Sequence, residues 1–563
     1  MPVPLPSTVG PADTLAFLTP AEETHHVSAV NIVTEWRFHT QSTPAAPYNA
    51  LSADARVTYP DGSVRTVPLF WAGGNEWRLR FASPLPGRYD IETVCSDPGE
   101  CRLHGRQRSL DVLPYGGPNE LLQHGPIQPD PQTGRLRHAD GTPFFWLADS
   151  WWHGMSARLR WPRDFKTLAA DRAQKGFTVI QFAVGFGPDV PLFDRRSANE
   201  AGHPFTRDLT SINPAYFDHV DRRVRCLLSH GLVPNVVGCW AYAAQWLDVA
   251  QLKRYWRYLI ARYGAFPLVW TLAGEVSLAW YLVDKSEHSR EAQRQCWSDV
   301  ARYVRDTDPY GRILTAHPGP HARGTCPLDD FSLLDMLLIQ PGHSGYETLP
   351  EAHRQFQALR RRCPTTPLLA GEVCFEGMHG DCREKVQRIL FWSLVLSGAA
   401  GHSYGAEGIW QLNAPDDPFG PSPLGHAWST VPWQESYRWP GSAHVGMGRK
   451  ILDRYPWWLL EPHQEWVSPA ADATEPLDAY AAGIPGHLRL VYFPRKLAPW
   501  GRRYRIVRLE PGLPYEATFV NPMTGQEHAL GVVTGDLEGN WQVPVAPVLH
   551  DWLLVLRQTG DRA

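Results

Sequence analysis

The 563-residue chain is too long for one hydrophobic core, so its length predicts two to four domains. A formal net charge of −4 with 20% charged residues gives neither the basic surface of a nucleic-acid-binding protein nor an acidic tail. The 24 Trp and 20 Tyr exceed what packing usually requires, and without a basic excess such rings favour sugars over nucleobases. We therefore expect a small carbohydrate ligand and no nucleic acid.

Neither the start of the chain nor its apolar segments indicate a membrane or an export route. Residues 1–6 lack the basic segment and apolar run of a secretion signal, and the longest apolar stretch, residues 389–401, is too short to cross a bilayer. Nine cysteines are scattered without metal-ligand spacing, although Cys95 and Cys101 could pair across a hairpin. We expect a soluble, cytoplasmic protein that needs no metal and no cofactor; a homo-oligomer stays open.

The first hundred residues show short alternating strands without a helical period. Residues 57–59 lead into the turn at 60–63, and residues 64–67 return from it. Further strands are predicted at 77–81 and 88–94. This pattern predicts a β-sandwich over residues 1–122.

Beyond a Gly- and Pro-rich linker at 116–126, apolar strands alternate with amphipathic helices. This alternation predicts an α/β fold, a (β/α)8 TIM barrel, over residues 123–463, with a hairpin at Asp140-Gly141 closing its floor. Its strands are predicted at 144–148, 178–182, 232–237, 267–276, 313–317, 336–340, 367–373 and 399–404. Its helices are predicted at 165–175, 216–229, 247–263, 291–305, 352–362, 383–396 and 447–459.

From about residue 465 the short alternating strands return. Clear strands are predicted at 488–493, 515–520 and 552–556, and residues 521–525 have the composition of a turn. A second β-sandwich is therefore predicted over residues 464–563. The predicted architecture is a barrel flanked by an N-terminal and a C-terminal sandwich.

The pentapeptide LAGEV occurs twice, at residues 272–276 and 369–373, each time at the end of an apolar strand. By the strand count, Glu275 ends barrel strand four and Glu372 ends strand seven. Carboxylates at the carboxyl ends of these strands can face one another across the barrel mouth, where two Glu residues can divide the acid and nucleophile roles of a glycosidase. The alternative is two surface glutamates after two core strands.

Other polar and aromatic residues follow the remaining strand ends. Gln181 and Asn235 are equally compatible with binding sugar hydroxyls or bridging strands, Asp149 with a sugar contact or a helix cap, and each His with local hydrogen bonding. Glu376 is the rival for the nucleophile, and we expect Tyr404, rather than Tyr346, to steady the nucleophile's charge. The complete set of candidate substrate-binding residues is Asp149, Trp151, Trp152, Gln181, Asn235, Trp240, Tyr242, His317, Gln340, His343, His402, Tyr404 and Trp410.

Several segments resemble one known family. Residues 137–152, RHADGTPFFWLADSWW, resemble the opening of the apiosidase-like glycoside hydrolase barrels. Residues 71–81, WAGGNEWRLRF, are similar to the sandwich that precedes such barrels, and the C-terminal segment resembles their collagen-binding-like sandwich. The resemblance implies Glu275 as acid/base and Glu372 as nucleophile. The placement of the two Glu residues also resembles the large clan of retaining glycoside hydrolases that have the acid/base after strand four and the nucleophile after strand seven. Many members of this clan place Asn before the acid/base, where it binds the sugar 2-hydroxyl; this chain has Gly274.

The leading hypothesis is a retaining glycoside hydrolase that cleaves a short oligosaccharide or glycoside from its end by double displacement. The resemblance makes a furanoside, apiose- or arabinofuranose-like, one option beside a pyranoside. The alternative is a non-catalytic carbohydrate-binding protein on a TIM-barrel scaffold. A metal-dependent barrel hydrolase would need a His-x-His strand end or a carboxylate cluster, and the sequence shows neither.

Overall fold

The computed structural model describes residues 17–41, 46–276, 278, 286–320, 322, 324–422 and 428–560. At its centre is a sheet of eight parallel strands in sequence order, with strand eight beside strand one. Strands five and six meet through the Asp335 N–H, which donates to the Leu314 carbonyl. The barrel strands are Trp146–Ser150, Val179–Ala183, Val233–Val237, Val269–Thr271, Leu314–Thr315, Leu337–Ile339, Leu368–Ala370 and Gly401–Tyr404.

The residues of these barrel strands are buried, as expected for a parallel sheet covered by helices on its outside. The described residues form seven longer helices around the barrel: Arg163–Lys175, Pro214–Ser229, Val249–Tyr263, Glu287–Thr307, Thr348–Arg362, Glu384–Leu396 and Pro440–Leu452. Helices of one turn lie at Pro47–Ala50, Glu120–His124 and Trp433–Ser436. The 3₁₀ turns are Arg195–Ser197, Ala241–Gln245, Phe331–Leu333, Gly345–Glu347, Met378–Gly380, Trp457–Leu459 and Gln464–Trp466. The predicted TIM barrel is confirmed.

The helix Val249–Tyr263 shows how the sequence forms these elements. Asp248 caps its first turn by accepting from the Gln251 N–H, and the Gln251 side chain accepts from the Asp248 N–H in return. Buried residues recur at helical spacing on one face, with Leu252, Trp256 and Leu259 in the barrel core. The capping residues and the buried apolar face therefore both stabilise this helix.

The N-terminal region contains two facing β-sheets around a core of its own. Arg80 fixes this sandwich to the barrel, because it donates to Glu35 of its own sheet and to Asp221 on the helix Pro214–Ser229. All three side chains are buried, so each charge needs these partners. One sheet orders Leu18–Ala21, Val33–His39, Glu76–Phe81 and Phe70–Gly73; the other orders His25–Ala29, Gln107–Leu113, Gly87–Cys95, Ala53–Thr58 and Val64–Pro68.

A small antiparallel sheet made by Ile127–Asp130, Arg135–His138 and Pro143–Phe144 precedes the first barrel strand. The predicted hairpin at Asp140-Gly141 joins its second and third strands. Arg135 donates to the carbonyl of Ala399, just before strand eight, and to that of Leu460. The sheet thus covers the amino end of the barrel, opposite the catalytic end of such folds.

The C-terminal region is again all-β. The helix Glu384–Leu396 packs against it, and Arg388 of that helix forms a buried ion pair with Asp551 at 2.7 Å. The predicted domain boundaries stay predictions, and the first strand of the larger sheet lies at residues 461–462. That sheet orders Glu461–Pro462, Tyr480–Ile484, Leu488–Phe493, Trp552–Gln558, Tyr515–Val520 and Glu527–Val533; the smaller one orders Val467–Ser468, Arg505–Ile506 and Trp541–Gln542.

Two expectations were wrong. The last helix spans Pro440–Leu452 rather than 447–459, because Pro440 suits a first helical turn and Pro456 cannot extend a helix. Cys95 and Cys101 do not pair, because Cys95 lies in the sandwich core whereas Cys101 is exposed. Across the described ranges, no helix has the length and apolar character that crossing a bilayer requires.

Candidate active site

Both LAGEV segments deliver their glutamates to one cavity at the carboxyl end of the barrel. Strand four ends at Thr271 and strand seven at Ala370, so each Glu lies just beyond its strand. The cavity has a volume of about 220 Å³. It is lined by Trp152, Pro188, Asp189, Trp240, Glu275, Leu278, Pro320, Gln340, His343, Glu372, Phe375, Met378, Trp410 and Trp428.

Gln340 joins the two carboxyl groups. Its Nε2 donates to Glu275 Oε1 at 2.8 Å and to Glu372 Oε1 at 2.9 Å. Because one nitrogen reaches both oxygens, they cannot lie more than about 5.7 Å apart. The amide is buried, which favours the orientation with its NH₂ toward the two acceptors.

Glu275 lies where its acid form is stabilised. Burial and the neighbouring Glu372 charge raise the pKa of Glu275 to about 7, although hydrogen bonds from Trp240 and Gln340 act in the opposite direction. The Trp240 indole N–H donates to Glu275 Oε2 at 2.9 Å. The Glu275 backbone has φ of 54°, a left-handed conformation that a non-glycine residue adopts at a cost, as functional residues often do.

Glu372 is held as a carboxylate. Burial opposes its ionisation, but a hydrogen bond from His343, the charges of His317 and His343 and a hydrogen bond from Trp152 together lower its pKa below the usual value. His343 Nε2 lies 3.1 Å from Glu372 Oε1. The pKa values of the two glutamates are therefore displaced in opposite directions, the arrangement that separates an acid from a nucleophile.

The two histidines beside Glu372 differ in their hydrogen bonds and in the direction in which their pKa values are displaced. The Phe375 N–H donates to His343 Nδ1, so the proton of this ring is on Nε2, facing Glu372. Burial lowers the pKa of His343, but the hydrogen bond to Glu372 and the negative charge of Glu372, with smaller effects of Cys374 and Glu275, together raise it. His317 instead donates from Nδ1 to the Pro318 carbonyl, and burial lowers its pKa. Its Nε2 lies 3.6 Å from Glu372 Oε2.

The glycine before Glu275 is required by Trp240. A Cβ atom at position 274 would lie 2.4 Å from the Trp240 ring, closer than real Cβ contacts occur. The two residues also pair as a parallel β-bridge. The indole therefore occupies the space into which an Asn side chain would extend, which explains the departure from the clan pattern.

Several predicted site residues form a buried layer beneath the cavity and do not line it. Asn235 donates to Gln181 Oε1 at 3.1 Å and accepts from Thr271 Oγ1 at 2.8 Å. Gln181 Nε2 reaches the Gly371 carbonyl at 3.2 Å, directly before Glu372. These two amides therefore bridge strands two, three and four to the segment that carries Glu372.

Asp149 and Trp151 also lie away from the cavity. Asp149 is fully buried, pairs with Arg172 at 2.6 Å and accepts from the Trp151 indole at 2.7 Å. Tyr242 donates to the Gly187 carbonyl and so fixes the loop that carries Pro188 and Asp189. His402 is fully buried on strand eight against Phe391.

Tyr404 does not contact Glu372. Its hydroxyl donates to Glu376, which also accepts from the Gly441 N–H at 3.0 Å. Tyr346, the other candidate, is 45% exposed and does not line the cavity. The prediction that Tyr404 steadies the charge of Glu372 was therefore wrong. His343, Gln340 and Trp152 make the contacts with Glu372 instead.

The sequence did not single out several lining residues: Pro188, Asp189, Leu278, Pro320, Phe375, Met378 and Trp428. They lie on long loops after the strands, where no periodicity marks them. Asp189 can be recognised as unusual only in the structure, where its side chain is buried and its backbone φ is 56°. In the described part of the chain, no group of three His, Cys, Asp or Glu residues is arranged to hold a metal ion.

The fold and its paired carboxylates define the class of glycosidase-type (β/α)8 barrels. The chain belongs to the Apiosidase-like, catalytic domain family, whose model matches residues 131–459. A domain of unknown function, DUF5060, matches residues 32–96. No curated protein matches the chain.

Solved structures share this architecture. One described as a glycoside hydrolase is 20% identical, with a TM-score of 0.64, covering 78% of this chain and 98% of its own. A glycoside hydrolase family 5 protein from Bacteroides vulgatus ATCC 8482 is 20% identical, with a TM-score of 0.65 and coverages of 78% and 95%. A second Bacteroides vulgatus ATCC 8482 protein is 17% identical and covers 95% of this chain and 100% of its own, with a TM-score of 0.69. These likenesses show the fold.

Proposed function

We propose that this protein is a retaining glycoside hydrolase with Glu372 as nucleophile and Glu275 as acid/base. The observation that carries the proposal is the Gln340 bridge, which limits the separation of the two Oε1 atoms to about 5.7 Å. Retaining enzymes hold their carboxyl groups about 5–5.5 Å apart, whereas inverting enzymes need about 6.5–9.5 Å to admit a water molecule. The bridge supports the retaining geometry.

The reaction uses both displaced pKa values. Glu372, ionised, attacks the anomeric carbon while protonated Glu275 gives its proton to the departing oxygen, so that a glycosyl ester forms on Glu372. Glu275, now ionised, takes a proton from water, and the resulting oxygen attacks the same carbon and releases Glu372. Two inversions leave the sugar with its original anomeric configuration.

The surroundings of Glu376 make it a structural residue. Both of its oxygens are engaged, one by Tyr404 and the other by the Gly441 N–H. It is 3% exposed and does not line the cavity that holds Glu275. Burial raises its pKa, which disfavours the ionised form that a nucleophile needs.

We further propose that the enzyme removes one terminal sugar from a short oligosaccharide or glycoside. The cavity of about 220 Å³ is smaller than the roughly 300–1,000 Å³ typical of drug-sized ligands, so it suits one ring. Trp240 occupies the space of the clan's Asn side chain, which supports a sugar presented differently from a pyranoside. An apiose- or arabinofuranose-like furanoside fits this requirement.

A panel of 4-nitrophenyl furanosides and pyranosides tests the proposal, followed by methanolysis of the best substrate with NMR of the first-formed methyl glycoside. Retained configuration is expected. Inverted configuration would overturn the double displacement. Binding of sugars without turnover of any glycoside would instead favour the non-catalytic carbohydrate-binding alternative.

A further inference from the structure

The C-terminal region presents one tryptophan almost entirely to solvent. Trp500 is 80% exposed, whereas large apolar side chains of soluble proteins are usually covered. It lies in residues 494–508, a stretch with six Lys or Arg residues and no acidic residue. The loop is ordered by hydrogen bonds, including Gly501 N to the Ala498 carbonyl at 3.0 Å and Ala546 N to the Leu497 carbonyl at 3.1 Å.

Trp500 borders a cavity of about 390 Å³, here called the Trp500 cavity, at the junction of the C-terminal sheet with the barrel helix Glu384–Leu396. Its charged lining residues are Lys385, Arg495, Lys496 and Arg502. Among the described residues, no carboxylate lines it. An exposed indole ring and four cationic side chains therefore surround the Trp500 cavity.

The four cations are not equivalent. Arg495 pairs with Glu475 at 2.8 Å, and Arg502 pairs with Asp478 at 2.9 Å. Within the described residues, neither Lys385 nor Lys496 has a carboxylate at ion-pair distance. Burial is the main cause that lowers the pKa of Lys385; the charge of Asp551 opposes it, and the charges of Arg388 and Lys496 add to the lowering. A bound anion would offset the neighbouring charges of Lys385 and Lys496.

We propose that the Trp500 cavity binds an acidic sugar chain, a polyuronate. The indole provides a flat apolar surface for one face of a sugar ring, and Lys385 and Lys496 meet the ring carboxylates. A uronate carries one charge per residue, which suits two lysines. The fixed carboxylates of Glu475 and Asp478 nearby disfavour the denser charge of nucleic acid.

The cavity also has a favourable position. Lys385 lies in the first turn of the helix that follows barrel strand seven, the strand that carries Glu372. Such helices begin at the carboxyl end of the barrel, where the catalytic cavity opens. A polyuronate held by Trp500 is thereby kept at the catalytic end of the molecule. The choice of a sugar as occupant rests on the proposed function.

Calorimetric titration of the full chain with short oligogalacturonides, and with neutral maltooligosaccharides of equal length, tests the proposal. Lys385→Gln/Lys496→Gln and Trp500→Ala should each weaken oligogalacturonate binding about tenfold, and added salt should weaken it further. Matched controls are Lys166→Gln/Arg106→Gln and Trp458→Ala, which should change binding less than about twofold. All variants should retain turnover of a small neutral glycoside.

Absent oligogalacturonate binding, equal binding of the neutral chain, or binding unaffected by both test variants would overturn the proposal. The proposal would also be overturned if duplex DNA or phosphatidylserine vesicles bound as tightly as the uronate and Trp500→Ala did not weaken that binding. Such a result would indicate a surface that binds anions in general. Binding is measured without turnover. Loss of glycosidase activity with intact uronate binding therefore contradicts only the proposed function, and the reverse contradicts only this inference.

Discussion

The Trp240 indole N–H donates to Glu275 Oε2 at 2.9 Å, and the same ring packs against the glycine that precedes Glu275. One side chain therefore both orients the proposed acid/base and determines which residue can stand before it. A hydrogen bond of this kind stabilises the ionised carboxylate and so opposes the effect of burial on its pKa.

Trp240→Phe keeps a ring but removes the N–H donor. Without that donor the pKa of Glu275 rises above about 7, and the basic limb of the kcat/KM profile, where Glu275 loses its proton, should move upward by about one pH unit. The pH dependence with a 4-nitrophenyl glycoside measures the shift. Trp246→Phe, which removes an indole that does not contact Glu275, is the control. A limb that moves downward would contradict the role of Trp240.

Gly274→Ala adds a Cβ that would lie 2.4 Å from the Trp240 ring. The ring must move, so we expect a loss of stability of about 1–3 kcal/mol and a fall in kcat/KM of about 10–100-fold. Urea unfolding and kinetics measure both effects. Gly116→Ala is matched because a Cβ there meets open space. Equal stability and activity of the two variants would disprove the tight contact.

Gln340→Leu removes the donor shared by the two carboxyl groups while nearly preserving volume. We expect kcat to fall about 100-fold, because the carboxylates lose the group that fixes their separation. Loss of a donor to each Glu should also raise both pKa values, which moves both limbs of the pH profile upward. Gln464→Leu, in the 3₁₀ turn Gln464–Trp466 and outside the cavity lining, is the control. A profile unchanged in shape and height would remove Gln340 from the site.

The barrel and the two glutamates were predictable because a repeated motif and a strand count place them at strand ends. The layer beneath was less so. The sequence shows Asp149 as a polar residue after strand one. Its partner Arg172 lies 23 positions away on a helix, and only the folded structure shows that the two side chains pair with each other. Tyr404 was likewise assigned to Glu372, although its hydroxyl lies against Glu376, four residues further along.

Asp189 is a residue of the cavity that the sequence did not single out. It lies in the long connection between barrel strand two and the helix Pro214–Ser229, where neither periodicity nor a motif marks single residues. Tyr242 holds the Gly187 carbonyl and His153 contacts the Pro188 carbonyl at 2.9 Å, and these distant contacts bring Asp189 into the cavity. Such loop positions depend on tertiary contacts that a single sequence does not reveal.

Glu372→Ala should lower turnover by about 10⁴-fold or more, because it removes the carboxylate that is proposed to form the glycosyl ester. Added azide should partly restore turnover and yield a glycosyl azide of inverted configuration, since one displacement replaces two. Glu376→Gln is the matched control: it keeps size and position, and turnover should stay within about tenfold of wild type. Azide rescue of a Glu376→Ala variant, with none for Glu372→Ala, would exchange the two assignments.

Glu275→Ala removes the proton that the departing oxygen needs. Substrates with an acidic leaving group such as 2,4-dinitrophenol leave without protonation, so their glycosylation step should fall much less than that of alkyl glycosides, which should lose about 10²–10⁴-fold. In the wild-type enzyme, kcat/KM should rise with pH as Glu372 ionises, below the usual Glu range, and fall near pH 7 as Glu275 loses its proton; the two limbs belong to the coupled pair. Stopped-flow kinetics with both classes of leaving group separate this step from deglycosylation. Equal losses for both classes would show that Glu275 is not the acid, and the falling limb near pH 7 would then need another group.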